Sequence, residues 1–251
     1  MTDLQRRLLA EFVGTAALVT VVVGSGIAAQ QLTDDVALQL LANSTTTVFG
    51  LGVLILVFGP VSGAHFNPVV SLADWLLGRR HRTGLDLVEV CSYPIAQIAG
   101  GVCGAVLANL MFDLDAWQIS DRDRITTGHL IGEIVATAGL IAVIFALARS
   151  GRAALSAAAV ASYIGAAYWF TSSTSFANPA VTIGRVFSDT FAGIAPASAP
   201  GFLVAQLLGG ALGLTLIVVL YPRSTAAAAG NAVVPHPTEP AAPNTSDPTT
   251  H

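Results

Sequence analysis

Six apolar stretches, at 8–29, 38–59, 90–111, 128–148, 153–171 and 199–221, each come near the ~20 residues that cross a bilayer as helix. A chain built this way has too few charges to cover a water-facing surface. Charged residues make up 10% of its 251 positions and hydrophobic types 53%, where soluble domains carry roughly 25% charge. The expectation is an all-α integral membrane protein whose first partner is the lipid bilayer. A net charge of −4, with arginine as the sole strongly basic type, leaves no basic stripe for phosphates, so no nucleic acid is expected as a partner. Cys91 and Cys103, on one span, cannot pair with each other and read as packing residues, with neither a disulfide scaffold nor a metal site. No cofactor is expected.

Arginine placement orients the spans. With the N-terminus inside, Arg6, Arg7, Arg79, Arg80, Arg82, Arg149, Arg152 and Arg223 are cytoplasmic, and only Arg122, Arg124 and Arg185 lie outside. That bias favours cytoplasmic termini and the cytoplasmic membrane of a bacterium. The segment 222–251, rich in Ala, Pro, Thr and Asn, reads as a disordered cytoplasmic tail behind a membrane-embedded domain over 1–221. Two shorter apolar pieces, 67–77 and 178–187, cannot span and are expected to be re-entrant.

The halves resemble each other. Ala10-Glu11-Phe12-Val13-Gly14-Thr15-Ala16 is echoed by Gly132-Glu133-Ile134-Val135-Ala136-Thr137-Ala138, Asn67-Pro68-Val69 by Asn178-Pro179-Ala180, and Ala96-Gln97-Ile98-Ala99-Gly100-Gly101 by Ala205-Gln206-Leu207-Leu208-Gly209-Gly210. Each half, about 8–111 and 128–221, holds three spans, so the second copy sits inverted and a path is expected at the midplane between them. Asn caps a helix and proline suits its first position. Two half-helices would then start near the membrane centre, with positive ends converging. The residues before each Asn, Gly63, Ala64 and His65 in one copy and Ser175, Phe176 and Ala177 in the other, are expected to run extended and offer carbonyls along the path. Two Asn amide donors and a positive waist would pass neutral hydrogen-bonding molecules and oppose cations.

These motifs resemble the aquaporin (major intrinsic protein) family over nearly the whole of 8–221. Ser62-Gly63-Ala64-His65-Phe66-Asn67-Pro68-Val69 is similar to its first signature and Phe176-Ala177-Asn178-Pro179-Ala180 to its second. The resemblance implies six transmembrane helices plus two re-entrant half-helices, a homotetramer with one pore per subunit, and passive flow of water or small neutral solutes. Val69 stands where the family has alanine. Val181 stands where most members have the arginine of the narrow filter. Carried over by spacing, the other filter positions are Ala166, Ser175 and Thr47, the last becoming Phe49 if the Phe49-Gly50-Leu51 run is aligned instead. An uncharged filter of Thr47, Ala166, Ser175 and Val181 implies a wide lane open to glycerol, urea and metalloid hydroxides such as arsenous acid.

Glu11 and Glu133 are the carboxylates deep inside spans. An intramembrane acid suggests function by default, and a proton-coupled secondary transporter using either is the alternative reading. The repeat supplies a structural one, in which each accepts backbone amides of a re-entrant loop while Gln97 and Gln206 are local partners. His65 is expected to fix its loop, and no His–acid pair accompanies any Ser or Thr, which argues against an enzyme.

Overall fold

The computed structural model describes residues 1–79 and 83–222. Arg80, His81, Arg82 and the tail from Arg223 on lie outside the described residues. Among the described residues eight helices follow one another: α1 Asp3–Leu32, α2 Val36–Ser62, α3 Pro68–Gly78, α4 Leu87–Met111, α5 Thr127–Arg149, α6 Ser156–Phe170 after a short 3-10 turn, α7 Pro179–Arg185 and α8 Ala199–Leu220. Among the described residues there is no strand. Six helices are long and apolar enough to span, and α3 and α7 are the short ones. With six crossings, α1 begins and α8 ends on the same side.

The sequence marks these starts. Thr2 forms a capping box with Gln5, and Asp86 one with Glu89. Asp35 accepts from the amides of Ala37 and Leu38. The half-helices begin as the two Asn-Pro pairs suggest: Asn67 and Asn178 are extended N-caps, followed by Pro68 and Pro179 in the first turn. Each cap satisfies amides that a helix start otherwise leaves open.

Packing follows the repeat. A side chain at Gly100 or Gly104 of α4 would run into the carbonyls of Phe12 and Ala16 on α1. At the matching place Gly209 and Gly213 of α8 face the carbonyls of Ile134 and Ala138 on α5. Small residues let spans approach closely where lipid gives no hydrophobic drive between them. Gly101 of α4 closes on the half-helix α7, where an added Cβ would sit 2.7 Å from the Ala180 carbonyl. Neither backbone can yield cheaply, so Gly101→Val is expected to lose about 1–3 kcal/mol through overpacking, read as a lower thermal midpoint in detergent. Gly59→Ala, where nothing lies within 4 Å of the new Cβ, is the matched control and should be neutral or slightly stabilising. Cys91 and Cys103 are exposed on α4 rather than packed inside the bundle.

Candidate functional site

The two N-caps meet. Asn67 Nδ2 donates to the Ala177 carbonyl at 2.8 Å, and Asn178 Nδ2 donates to the Phe66 carbonyl at 2.7 Å. Each Asn thus ties to the residue that precedes the other Asn. A side-chain amide carries two donor hydrogens, so each retains one for the cavity that both residues line. The Asn side-chain oxygens accept from Val69 N, and from Ala180 N and Val181 N, fixing the amide orientation. The other motif residues serve packing: Val69 of α3 seats on Gly210 of α8, and Ala180 lies against Gly101. Pro68 and Pro179 occupy the first helical turns.

The loops before the caps are not extended as the sequence suggested. Gly63, Ala64 and Phe66 have φ of 89°, 50° and 49°, and their counterparts Thr174, Ser175 and Ala177 have 61°, 51° and 47°. Left-handed backbone at non-glycine residues costs roughly 1–2 kcal/mol each. A uniformly extended run would turn alternate carbonyls to opposite sides. Alternating the hand turns them toward one side, along the path, and leaves the amides facing the protein. Glu11 receives those amides: Oε1 accepts from Ser62 Oγ at 2.6 Å and His65 N at 3.0 Å, and Oε2 from Phe66 N and Gln97 Nε2, each at 2.7 Å. Glu133 repeats this with Phe176 N and Ala177 N, each at 2.8 Å, and Gln206 Nε2 at 2.6 Å. Gln97 and Gln206 extend the brace to Ser71 Oγ and Thr182 Oγ1. Both carboxylates are wholly buried and face donors, which is the geometry of a clamp on a strained loop. His65 pairs through Nδ1 with Ser71 Oγ at 3.1 Å and sits edge-on to Tyr93. Tyr93 in turn donates to the Ser62 carbonyl and accepts from Arg7, which is ion-paired with Glu89.

Helical stripes make the wall. Ser156, Val160, Ile164 and Tyr168 line the cavity from α6 at four-residue steps, as Thr47, Leu51 and Ile55 do from α2. The stripes correct the filter. Ala166 is exposed on the outer face of α6, and Tyr168, two residues and roughly 200° further round the helix, lines the cavity. Phe49 is 70% exposed, so Thr47 is the α2 residue at the wall. Thr47 Oγ1 lies 3.2 Å from Tyr168 Oη and donates to the Asn43 carbonyl. Ser175 and Val181 line the same cavity, with Ser175 Oγ lacking a protein partner among the described residues. Spacing alone missed Tyr168, although the buried period of α6 was in the sequence to be read.

On the side away from the termini, two loops cover the mouth. Ser120 N donates to the Val186 carbonyl and Ala195 N to that of Arg122. Arg124 donates from Nε to Gly193 O and from Nη2 to Phe191 O. Burial, with Arg185 and Arg122 close by, lowers the Arg124 guanidinium to about 9, still charged at neutral pH. Asp123 accepts from Ser198 Oγ at 2.6 Å and Ile125 N at 3.0 Å, and these bonds hold its carboxyl below the usual range. A depressed carboxyl stabilises the fold above its ordinary value of ~3.9 and loses that contribution as pH falls through the lower folded value. The exchange protection factor of the Ile125 amide should therefore hold at pH 6 and fall only in that acid range.

The major intrinsic protein family model matches residues 1–175. The chain belongs to the major intrinsic protein family. Similar proteins include the aquaglyceroporin AqpS of Rhizobium meliloti (strain 1021), 49% identical over 86% of this chain and 90% of that one. The glycerol uptake facilitator protein of Pseudomonas aeruginosa is 30% identical over 89% of this chain and 91% of its own length. The X-ray structure of the aquaglyceroporin from Plasmodium falciparum superposes with a TM-score of 0.66 at 22% identity, covering 87% of this chain and 98% of that one, and shares the fold. This major intrinsic protein is a multi-pass membrane channel, not an enzyme.

Proposed function

We propose that the chain is a passive channel for water and small uncharged solutes, with glycerol, urea and undissociated metalloid hydroxides such as arsenous acid within its reach. The observation that carries this reading is the constriction itself. Val181 is apolar where a long guanidinium would fill the lane, and Thr47 and Ser175 contribute small hydroxyls beside the Tyr168 ring and its phenol. Past it, the free hydrogens of Asn67 and Asn178 and the carbonyls of the two loops replace a solute's hydration shell. Permeation needs no cofactor. The glycerol- and aquaglyceroporin-named relatives support the solute class. The working unit is a homotetramer with one pore per subunit, set in a bacterial cytoplasmic membrane with both termini cytoplasmic. Residues 1–221 form the channel domain. The exposed apolar belt that includes Phe49, Val53, Leu56 and Ile95 suits lipid or neighbouring subunits.

Stopped-flow light scattering on proteoliposomes tests the proposal. Osmotic water flux, glycerol uptake and arsenous acid uptake should all exceed those of empty vesicles, rise linearly with concentration and ignore an imposed pH gradient. Water flux alone would mean the constriction is closed to larger solutes. Saturating, gradient-driven uptake would favour a proton-coupled transporter instead.

A further inference from the structure

Beside the constriction lies a buried guanidinium without a carboxylate partner. Arg185, the last residue of α7, is 2% exposed and lines the same cavity as Ser175, Phe176 and Val181. Its Cζ is 3.5 Å from the centroid of the Phe176 ring, and its Nε donates to the Ala192 carbonyl. Among the described residues it forms no ion pair. Glu133, the carboxylate whose field reaches it, is engaged with Phe176 N and Ala177 N. A lone charge removed from water is costly unless something compensates it. Here the compensation is an aromatic face, one backbone carbonyl and the opening of the pore.

Arg124 sharpens the contrast. Its Cζ is 5.2 Å from the same ring, yet its Nε and Nη2 are committed to loop carbonyls, so it braces the mouth. Arg185 has only its Nε so committed. The like charges of Arg122 and Arg124 lie on the outward side and disfavour a swing of Arg185 away from the cavity. Residues four apart share a helix face, which sets Arg185 one turn beyond Val181 on the path of a solute.

We propose that Arg185 is the charge-selecting residue of this pore: it supplies, one helical turn beyond position 181, a fixed cation that rejects cations and protons while leaving the constriction wide. Its Nη groups also donate to the oxygens of uncharged hydroxylated solutes. The inference rests on the channel reading above and names the residue that makes a wide lane ion-tight.

The test measures sodium and proton leak under an imposed potential in dye-loaded proteoliposomes, expressed per unit of osmotic water flux. In Arg185→Gln this ratio should rise about tenfold or more, the scale on which a one-signed cleft alters local ion concentration. Arg185→Lys keeps the charge and should stay near wild type. Arg185→Gln at the wild-type ratio overturns the proposal, as does Arg185→Lys leaking equally, since the residue would then act through shape. Should Arg185→Gln not fold, Val181→Glu decides. It keeps the Ala192 bond and sets a carboxylate one turn from the guanidinium, so leak should rise, and a conducting but ion-tight Val181→Glu overturns the proposal. Wild-type vesicles with neither water nor glycerol flux would sink the channel reading itself, whereas conducting, ion-tight variants sink only the role of Arg185.

Discussion

Glu133→Ala should abolish a stably folded protein. The substitution leaves Phe176 N, Ala177 N and Gln206 Nε2 facing apolar space. Each buried unsatisfied donor costs about 1–3 kcal/mol. Together they compete with the ~5–15 kcal/mol that holds a typical domain folded. The loop they anchor also carries left-handed Thr174, Ser175 and Ala177, a conformation that relaxes once the clamp is gone. Fluorescence-detected gel filtration in mild detergent should show aggregate in place of a single peak. A sharp peak with unaltered thermal midpoint would mean the carboxylate is not the clamp. Glu133→Gln keeps one acceptor and should fall between, and Glu11→Ala should behave alike, because Ser62, His65, Phe66 and Gln97 face it in the same way.

Val181→Arg should turn a broad pore into a narrow one. The new side chain would reach into the space bounded by Thr47, Tyr168 and Ser175, and its charge would meet Arg185 at the unfavourable four-residue spacing. Glycerol and arsenous acid uptake should drop by about 10–200-fold, the range over which a pocket discriminates by ~1–3 kcal/mol of fit. Water flux should fall much less, because one water needs less width. Undiminished glycerol flux in a folded variant would place the constriction elsewhere along the cavity.

What the sequence carried follows from what kind of physics each feature uses. The six spans and the two Asn-Pro starts rest on local chemistry, hydropathy and capping, and were readable from composition and order. The Glu–Gln braces were readable because inversion repeats them. Tyr168 was readable in principle: counting back from the second Asn gave Ala166, but Val160, Ile164 and Tyr168 form the stripe that a helix turns inward. The alternating left-handed backbone was not, since Ala64, Phe66, Ser175 and Ala177 have no intrinsic reason to adopt it. It is imposed from other helices by Glu11 and Glu133. The setting of Arg185 was equally hidden, because it depends on Phe176 of the loop before α7 and on Ala192 of the loop after it.

The mutual tie between the two Asn side chains has a consequence for biosynthesis. Asn67 finds its acceptor at Ala177, and Phe66 its donor at Asn178, so neither bond exists until ribosomes have delivered both halves. A nascent chain stopped after α4 holds its first half-helix only by Glu11, Tyr93 and Gln97, with a strained turn and an unanswered carbonyl. The centre of the membrane is therefore the last place to lock, late in the order of assembly. Truncation anywhere before α7 would yield an inserted but unfinished half, open to quality-control proteases.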